Sequence, residues 1–377
     1  MSTSNERNPV HTYTGTGVFS VTLTVVGGGG TNVFTRQNYI TVTPPAIPSF
    51  NLTATIDPLS SATVTGLGTY QLGDLVTLTA NPELMAPTGF VDIVFIVDES
   101  GSMAAEHAWL TTLPSLLESA LQAVNIGTIT ANRYALVGFG STQAGHGSPA
   151  NYPHKHLVGG GDWGTAAQLQ TAATGLVTVG GSEDGYFASY FALPSTANYT
   201  FRVGAAILFV LITDEDRKIV NGAITKASIT ADLLAADVIY ASVLDLKILD
   251  TMAQSAIGRQ ATSTYVKTVP APYYTTTTLA TIGPGDTPTN PDNSDVVNDY
   301  VTFTEDLGGS EWNLNFLRNG GTDATAFSSA FVAIVKDQIL TAISYTFDHW
   351  TINGVDYFTN PVSFTLGGAT TIDLFMT

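Results

Sequence analysis

The sequence predicts a multidomain protein: an α/β domain with a doubly wound, mostly parallel sheet, inserted into a small all-β module and preceded by a fragment of a β-sandwich. Three observations lead to this prediction. Apolar runs of strand length alternate with amphipathic helical patterns through residues 87–342, as in parallel sheets covered by helices. Threonine-rich β patterns flank that region on both sides. A shorter β pattern fills residues 1–43.

Composition limits the classes of function. Of the 377 residues, 44% are apolar, which is enough for the cores of two or three domains. The chain has 13 basic and 31 acidic side chains, a formal charge of -18. That charge disfavours binding to a nucleic-acid backbone and favours cations or cationic partners. No cysteine is present, so disulfides and thiolate metal sites are excluded.

The N-terminus has no basic segment followed by an apolar one, and no apolar run reaches the ~18 residues of a membrane span. The sequence therefore predicts no signal peptide and no membrane insertion. Together with the threonine-rich β content, this favours an extracellular, cell-surface or virion-surface protein that is processed or leaves the cell by another route, for example inside a virus particle.

The N-terminal β segment comprises residues 1–43. Alternation of apolar and polar side chains predicts a half-buried strand at 18–25, a glycine turn at 27–30 and a second strand at 38–42. The segment resembles the C-terminal part of a PKD-type β-sandwich domain. An isolated hairpin is marginally stable and exposes pairing edges, so we expect it to complete its fold against another chain or another part of this one. A frayed terminus is the alternative.

A proline-rich linker, residues 44–48, leads into the β module. Residues 49–86 predict three short strands with glycine turns, and they resemble the first half of internalin B-repeat-like modules of bacterial cell-surface proteins. Such modules continue with an aromatic segment, Y-T-F-x-x-W-x-x-N-G, which this chain carries at 345–354. The module is therefore predicted to comprise 49–86 and 343–377, with His349 and Trp350 of the aromatic segment in its core.

Within residues 87–342, apolar runs predict strands at 91–98, 134–140, 205–213 and 238–246. A helix follows the first strand and ends near Gly127, and a closing helix leads back to the β module. Residues 262–322 fit the alternation poorly and are expected to form a long excursion. The apolar positions of the two helices are Leu113, Leu116, Leu117, Ala120, Leu121 and Val124, and Phe327, Ala330, Phe331, Ile334 and Val335.

Oxygen-bearing side chains follow the first of these strands directly, in the spacing D-x-S-x-S: Asp98, Ser100 and Ser102. Open α/β sheets place their sites at this end of the strands, although a helix N-cap is the competing interpretation. The motif resembles the metal-ion-dependent adhesion site of von Willebrand factor A (VWA) domains. The resemblance implies a Rossmann-like sheet, a metal site that faces away from the β module, and an aspartate after a later strand, for which Asp214 fits.

The resemblance also requires a hydroxyl from a second loop. The loop Gly180 to Tyr186, G-G-S-E-D-G-Y, offers Ser182 in place of the usual threonine, and Thr178 is a less favoured substitute. The segments F-R-V-G-A-A, T-D-E-D-R and G-G-S-E-W-N-L-N-F-L-R-N-G-G match the same family variant, so the resemblance covers most of residues 90–342. Nearby acids are predicted to form a ligand rim or salt bridges: Glu99, Glu183, Asp184, Glu215 and Asp216.

In such a site, as the resemblance implies, neutral hydroxyls bind the ion directly and the carboxylates act largely through water. The cation then keeps positive character and an open position for a partner's carboxylate. Mg²⁺, which takes six oxygens at about 2.0–2.1 Å, is favoured, and Mn²⁺ and Ca²⁺ stay open. The predicted function is adhesion or recognition of a protein or glycan ligand. The alternative is a structural subunit of a filament, surface layer or virion that assembles through residues 1–43.

Three further candidates are weaker. Ser100 has no histidine base in a recognisable arrangement, so the sequence predicts no enzyme. No carboxylate at ligand spacing accompanies His154 and His156, which favours loop histidines over a zinc site. Three acids lack the spacing of an EF-hand, which favours a solvated loop over a calcium site: Asp286, Asp292 and Asp295.

Overall fold

The computed structural model describes residues 2–57, 61–82, 89–285, 295–343 and 347–377. These residues form two compact units. One, the β unit, contains residues 2–57, 63–81 and 347–376, and the other, the α/β unit, contains residues 89–285 and 295–343 with the short pieces 61–62, 82 and 377. Several positions that the sequence patterns singled out lie outside the described residues: Asp286, Asp292, Tyr345, Thr346 and the predicted boundary at 86–87.

The described strands and helices are as follows. The strands are β1 (Gly17–Gly27), β2 (Gly30–Val42), β3 (Ser49–Leu52), β4 (Thr55–Asp57), β5 (Ala62–Thr65), β6 (Gly68–Gln71), β7 (Leu75–Pro82), β8 (Val91–Asp98), β9 (Arg133–Phe139), β10 (His154–His156), β11 (Ala206–Thr213), β12 (Val238–Leu244), β13 (Leu246–Asp250), β14 (Ala256–Gln260), β15 (Ser263–Lys267), β16 (Tyr274–Pro284), β17 (Ser310–Asn313), β18 (Phe347–Ile352), β19 (Val355–Tyr357), β20 (Val362–Thr365) and β21 (Ile372–Met376). The helices are α1 (Ala104–Trp109), α2 (Leu113–Gln122), α3 (Ala166–Ala173), α4 (Gly185–Ala192), α5 (Lys226–Ala235), α6 (Thr302–Asp306), α7 (Asn315–Arg318) and α8 (Gly321–Ala342), with a 3₁₀ turn at Pro194–Thr196 and a π-helical turn at Val297–Val301. No helix among these residues is long and apolar enough to cross a membrane.

The α/β unit is built on a mixed sheet in the order β10-β9-β8-β11-β12-β17-β14-β15-β16-β13. Strands β9, β8, β11, β12 and β17 are parallel, and β10 pairs antiparallel with β9 at one edge. The six strands from β10 to β17 in this sheet order, numbered among themselves by their order in the chain, lie as 3-2-1-4-5-6. That is a doubly wound order, which changes direction between its first and fourth strands. The predicted site therefore lies at the switch point, where β8 and β11 end.

Alternate side chains of β8 enter two different cores. Ile93 and Phe95 pack with residues of α1, α2, α3 and α8, whereas Val94 and Ile96 pack with residues of α4, α5 and α6. A strand buried on both faces explains why its sequence is a continuous apolar run. At the base of the unit, a Cβ added to Gly89 would lie 2.1 Å from Ile343 Cδ1, so the beginning and end of this unit lie together.

The expected excursion at 262–322 contributes three strands to the sheet, β15, β16 and β17. Strands β14, β15, β16 and β13 extend the sheet beyond β17 in antiparallel pairs. The threonine run in β16 faces β15, with Thr264 opposite Thr277. Threonine favours strands, but a run of threonines gives no apolar alternation, and the pattern therefore underestimated the strand content here.

In the β unit, strands from the two ends of the chain pair with each other. Antiparallel β20 and β7 align Val362 with Leu78, and parallel β21 and β4 align Leu374 with Ile56. Residues 49–82 form five strands instead of the predicted three. Trp350 is buried, and the ring of His349 stacks on Phe375 with 4.5 Å between ring centroids.

The N-terminal β1–β2 hairpin is a two-stranded sheet. It is longer than predicted, because β2 begins at Gly30, directly after the glycine turn. Leu23 lies opposite Phe34, and these side chains are 61% and 63% exposed. Within the part of the chain that the structure describes, neither strand pairs with a third.

Candidate functional site

Asp98 is the last residue of β8, and its carboxylate is buried and held on both oxygens. The backbone N–H of Ser100 donates to Oδ1 at 2.6 Å, and the hydroxyl of Thr213 donates to Oδ2 at 2.8 Å. Thr213 ends β11, which runs parallel to β8 in a register that places Ile212 beside Val97. The pairing of these two strands therefore fixes the first predicted ligand.

Two serines connect Asp98 to Asp214. The Oγ atoms of Ser100 and Ser102 lie 3.2 Å apart, and Ser102 donates to Asp214 Oδ1 at 3.0 Å. Ser100 is buried, whereas Ser102 is exposed. Four of the five predicted ligands thus form one chain of contacts, Asp98–Ser100–Ser102–Asp214, which opens to solvent at Ser102.

The predicted second loop passes beside this chain. The N–H of Val179 donates to the carbonyl of Glu99 at 3.0 Å, and Gly180 bridges to Ser141 after β9. Ser182 is half-buried and precedes Glu183, which is fully buried. Among the described residues, Ser182 forms no hydrogen bond with the other four predicted ligands.

The close approach of this loop to Asp98 requires glycine at position 140. Gly140 has a φ of +77°, and a Cβ there would lie 3.3 Å from both Asp98 Oδ1 and Glu183 Cγ. A larger residue would be strained in this conformation and would crowd both carboxylates. Gly140 therefore lets two acids approach each other where the strands end.

Two carboxyl groups of the site, those of Asp98 and Glu183, have raised pKa values because they are buried beside other acids. Burial, with the nearby Asp214 carboxylate, raises the pKa of Asp98 to about 8, although hydrogen bonds from Thr213 and Ser100 oppose the shift. Burial, Asp98 and Glu215 raise the pKa of Glu183 to about 9. Oxygen donors in excess of nearby positive charge fit a hard divalent cation such as Mg²⁺, Mn²⁺ or Ca²⁺.

Arg318 supplies part of the missing positive charge. Its guanidinium forms ion pairs with Glu106 and Asp214, and Nη1 lies 3.6 Å from Asp245 Oδ2. Burial lowers the pKa of Arg318, but the two paired carboxylates outweigh it and raise that pKa. Arg318 belongs to the N-F-L-R-N-G-G segment of the VWA resemblance, and it orients the Asp214 carboxylate from the side away from Ser102.

The five predicted rim acids differ in exposure. Glu99, Glu183 and Asp184 are buried and cannot line an exposed rim, because the strand end and the second loop enclose them. Asp184 caps α4 by accepting from Phe187 N and pairs with Arg217 Nε at 2.7 Å. The half-buried Glu215, which pairs with Lys218, and Asp216 are the members of this set that reach solvent.

A histidine cluster lies beside the site, and sequence reasoning missed it. His146, His154 and His156 surround the Glu99 carboxylate, with nitrogen–oxygen distances of 3.2, 3.0 and 3.0 Å. The expectation that no carboxylate accompanies the histidines is therefore corrected. Strand β10 places alternate residues 154 and 156 on one face, opposite Gly138 and Leu136 of β9. The H-x-H spacing of His154 and His156 was the available signal for this cluster, but the carboxylate that completes it, Glu99, follows a different strand, β8.

No protein-family model matches this chain, and no curated protein matches it. Among solved structures, proximal thread matrix protein 1 from the mussel byssus, with a zinc-occupied MIDAS motif, is 16% identical over 42% of this chain and 36% of its own, with a TM-score of 0.31. The pilus adhesin SpaC from Lactobacillus rhamnosus GG is 13% identical over 88% of this chain and 44% of its own, with a TM-score of 0.36. This chain thus spans less than half the length of either protein. Similarity at this level assigns neither fold nor function.

Proposed function

We propose that this chain is an extracellular or particle-surface adhesion protein that binds a protein or glycan ligand through a divalent cation. The observation that carries the proposal is the contact chain Asp98–Ser100–Ser102–Asp214 at the switch point of the sheet. Ser182, from the loop beside it, completes the proposed ligand set. Ligands of doubly wound sheets bind at this position.

The chemistry of these residues suits recognition more than bond cleavage. The hydroxyls of Ser100, Ser102 and Ser182 are neutral donors, and the carboxylates of Asp98 and Asp214 are already hydrogen-bonded within the protein. A cation bound mainly by neutral oxygens keeps net positive charge, so it attracts a carboxylate from a partner. Mg²⁺ is the first choice because it takes octahedral oxygen ligands and retains several waters.

The proposed architecture is a VWA-like domain inserted into an internalin B-repeat-like β module, after a PKD-like fragment. Two features support it. The beginning and end of the α/β unit meet at Gly89 and Ile343, as insertion into a host domain requires. The β7–β20 and β4–β21 pairs join the two chain segments on either side of the insert.

Replacing Asp98 by asparagine is expected to weaken Mg²⁺ binding by about 10- to 100-fold, the range for groups that orient or support a bound metal. Asparagine keeps the shape but removes the negative charge, and it relieves the repulsion from Asp214. Isothermal titration calorimetry with Mg²⁺ and Mn²⁺ measures the effect. Asp232→Asn, a change of an exposed acid on α5, is the matched control. Unchanged Mg²⁺ affinity in Asp98→Asn would contradict the proposed site.

A second function is favoured by the β1–β2 hairpin. Its two strands carry exposed apolar side chains, including Leu23, Val25 and Phe34, and two-stranded hairpins are at best marginally stable alone. We propose that the hairpin of a second copy completes this sheet, so that the protein is a structural subunit of a filament, surface layer or virion. The unpaired edges supply the hydrogen-bonding groups for such addition.

The assembly proposal predicts that the full-length protein forms dimers or ordered oligomers without added ligand. The double change Leu23→Lys with Phe34→Lys should shift the sedimentation profile to monomer, because charges on the pairing surface oppose association. Val203→Lys, at a fully exposed loop position of the α/β unit, is the control. Assembly by the double variant at the concentration where the original protein assembles would rule the hairpin out as the contact.

A further inference from the structure

We propose that His146, His154, His156 and Glu99 form a second metal site, which binds a transition-metal ion and Zn²⁺ in particular. The four donor atoms lie within 4.8 Å of one another. They come from three separate segments: the turn after β8, the loop after β9 and the edge strand β10. The site is distinct from the oxygen-lined one, although Glu99 lies between Asp98 and Ser100 in the chain.

The donors converge as metal ligands do. Glu99 Oε1 lies 3.2 Å from His146 Nδ1 and 3.0 Å from His156 Nε2, and Glu99 Oε2 lies 3.0 Å from His154 Nε2. In a tetrahedral site with metal–ligand bonds of about 2.0–2.1 Å, neighbouring donors are about 3.3 Å apart. The three imidazole rings are also close together, in edge-to-face or tilted arrangements with centroids 5.0 to 5.4 Å apart. Small movements would therefore bring all four donors onto one ion.

Hydrogen bonds satisfy only part of this cluster. Glu99 Oε1 accepts from the N–H of Val177 at 3.0 Å and contacts two histidines. Glu99 Oε2 and His154 Nε2 are buried, and neither has a hydrogen bond among the described residues, although they lie 3.0 Å apart. Buried polar atoms that approach each other without hydrogen-bond alignment need another partner. A metal ion between them would satisfy both.

The surroundings are shaped for this cluster. The Glu99 side chain is fully buried, and those of His146, His154 and His156 are 19%, 13% and 11% exposed. A Cβ on Gly138 would lie 2.5 Å from Glu99 Oε2 and 2.8 Å from His156 Nε2. Only glycine leaves room for both donors at this position of β9. The other nitrogen of His154, Nδ1, lies 3.5 Å from the carbonyl of Tyr152, the kind of outer contact that orients a metal-binding imidazole.

The ligand types select the ion. Imidazole suits Zn²⁺ and other first-row transition metals, whereas Mg²⁺ and Ca²⁺ prefer sites made of oxygen alone. Three neutral imidazoles and one carboxylate leave a divalent ion with one net positive charge, a balance that a buried acidic region of this protein accommodates. We therefore expect Zn²⁺ here and Mg²⁺ at the Asp98 site, with little exchange between the two.

A bound ion would tie together the segments that hold the oxygen-lined site. Glu99 lies inside the D-E-S-G-S turn, and its carbonyl accepts from Val179 N in the loop that carries Ser182. Zn²⁺ is therefore expected to fix the turn and to raise Mg²⁺ affinity, because it reduces the motion that Mg²⁺ binding must otherwise restrict.

The test is Zn²⁺ titration of the full chain in excess Mg²⁺, with a chromogenic chelator as competitor and with Co²⁺ as a spectroscopic probe. We expect one Zn²⁺ per chain and a Co²⁺ absorption spectrum of a nitrogen–oxygen site. His154→Gln should weaken Zn²⁺ binding by at least about 100-fold, and Gly138→Ala should weaken it while leaving all four ligands present. His11→Gln, which changes an exposed histidine of the N-terminal segment, is the control.

Ser102→Ala separates the two sites. It should impair Mg²⁺ binding and, in buffer without Mg²⁺, leave Zn²⁺ binding and the Co²⁺ spectrum intact, since coupling between the two sites is reciprocal. If Ser102→Ala abolishes Zn²⁺ binding while His154→Gln preserves it, the ion occupies the Asp98 site and the proposal is overturned. If the original protein binds no more Zn²⁺ than His154→Gln, the histidines are only hydrogen-bonded to Glu99, and the proposal fails while the proposed adhesion function stands.

Discussion

Mg²⁺ affinity is expected to rise about 50-fold between pH 6 and pH 8, at close to tenfold for the first pH unit and less as the pH approaches 8. The reason is the Asp98 carboxyl, whose pKa is raised to about 8 by burial and by the Asp214 carboxylate. The cation requires the ionised carboxylate, so below pH 8 each Mg²⁺ must displace about one proton. Above pH 9 the affinity should become independent of pH.

The same shift determines how stability depends on pH without the cation. Asp98 holds its proton more tightly in the folded protein than in the unfolded chain, whose pKa is near the ordinary 3.8. The resulting stabilisation is complete below that unfolded value and is lost as pH rises through the folded value near 8. Added Mg²⁺ should therefore stabilise the α/β unit more at pH 8 than at pH 6.

Calorimetry in two buffers with different ionisation enthalpies measures the proton release directly. The burial-shifted Glu183 titrates together with Asp98, and so the number released belongs to the pair. Asp98→Asn should lower this number, and Asp232→Asn should not. An Mg²⁺ affinity that stays constant from pH 6 to pH 8 would mean that neither carboxyl must ionise when the cation binds.

Replacing Arg318 by methionine is expected to lower the free energy of unfolding of the α/β unit by about 3–5 kcal/mol, the cost of removing one partner from a buried ion pair. Arg318 pairs with Glu106 and Asp214 and lies near Asp245. All three acids are buried. Methionine fills similar space but leaves these carboxylates without their cation.

Urea denaturation, followed by circular dichroism with and without saturating Mg²⁺, measures this effect. The loss should be smaller with Mg²⁺, since a cation near Asp214 replaces part of the missing charge. Lys336→Met is the control, because its partner Asp337 is exposed, and surface pairs contribute only about 0–1 kcal/mol. Equal losses for the two variants would show that the Arg318 network is not important for stability.

Much of the α/β unit could be predicted because its physical signals are local. Strand β8 is continuously apolar and ends in Asp98, so one short segment reveals both its burial on two faces and its polar end. Strand β11 is likewise apolar up to its last residue, Thr213, and Asp214 follows it directly. Parallel pairing of adjacent strands then brings Asp98 and Asp214 to one edge. The positions of four of the five proposed ligands follow from these two segments.

The remaining features depend on contacts between distant segments. Strand β16 is largely exposed or half-exposed and rich in threonine, and it therefore lacks an apolar period. The metal-binding potential of His154 and His156 depends on Glu99, which reaches them only because β10 folds back along β9. The burial of Asp184 depends on its ion pair with Arg217. The two residues lie on different loops, one before α4 and one after β11. A linear pattern does not contain these pairings.

The parallel pairing of β4 with β21 has a mechanical consequence. Their hydrogen bonds join Thr55–Asp57 to Asp373–Phe375, and the whole α/β unit lies between these segments in the chain. When tension draws β4 toward its N-terminal end and β21 toward its C-terminal end, it passes directly across this pair. The bonds are then loaded together, in shear, and the strands that hold Asp98 and Glu99 stay outside the path of the force. The proposed sites can then keep their geometry under tension for as long as these few bonds hold.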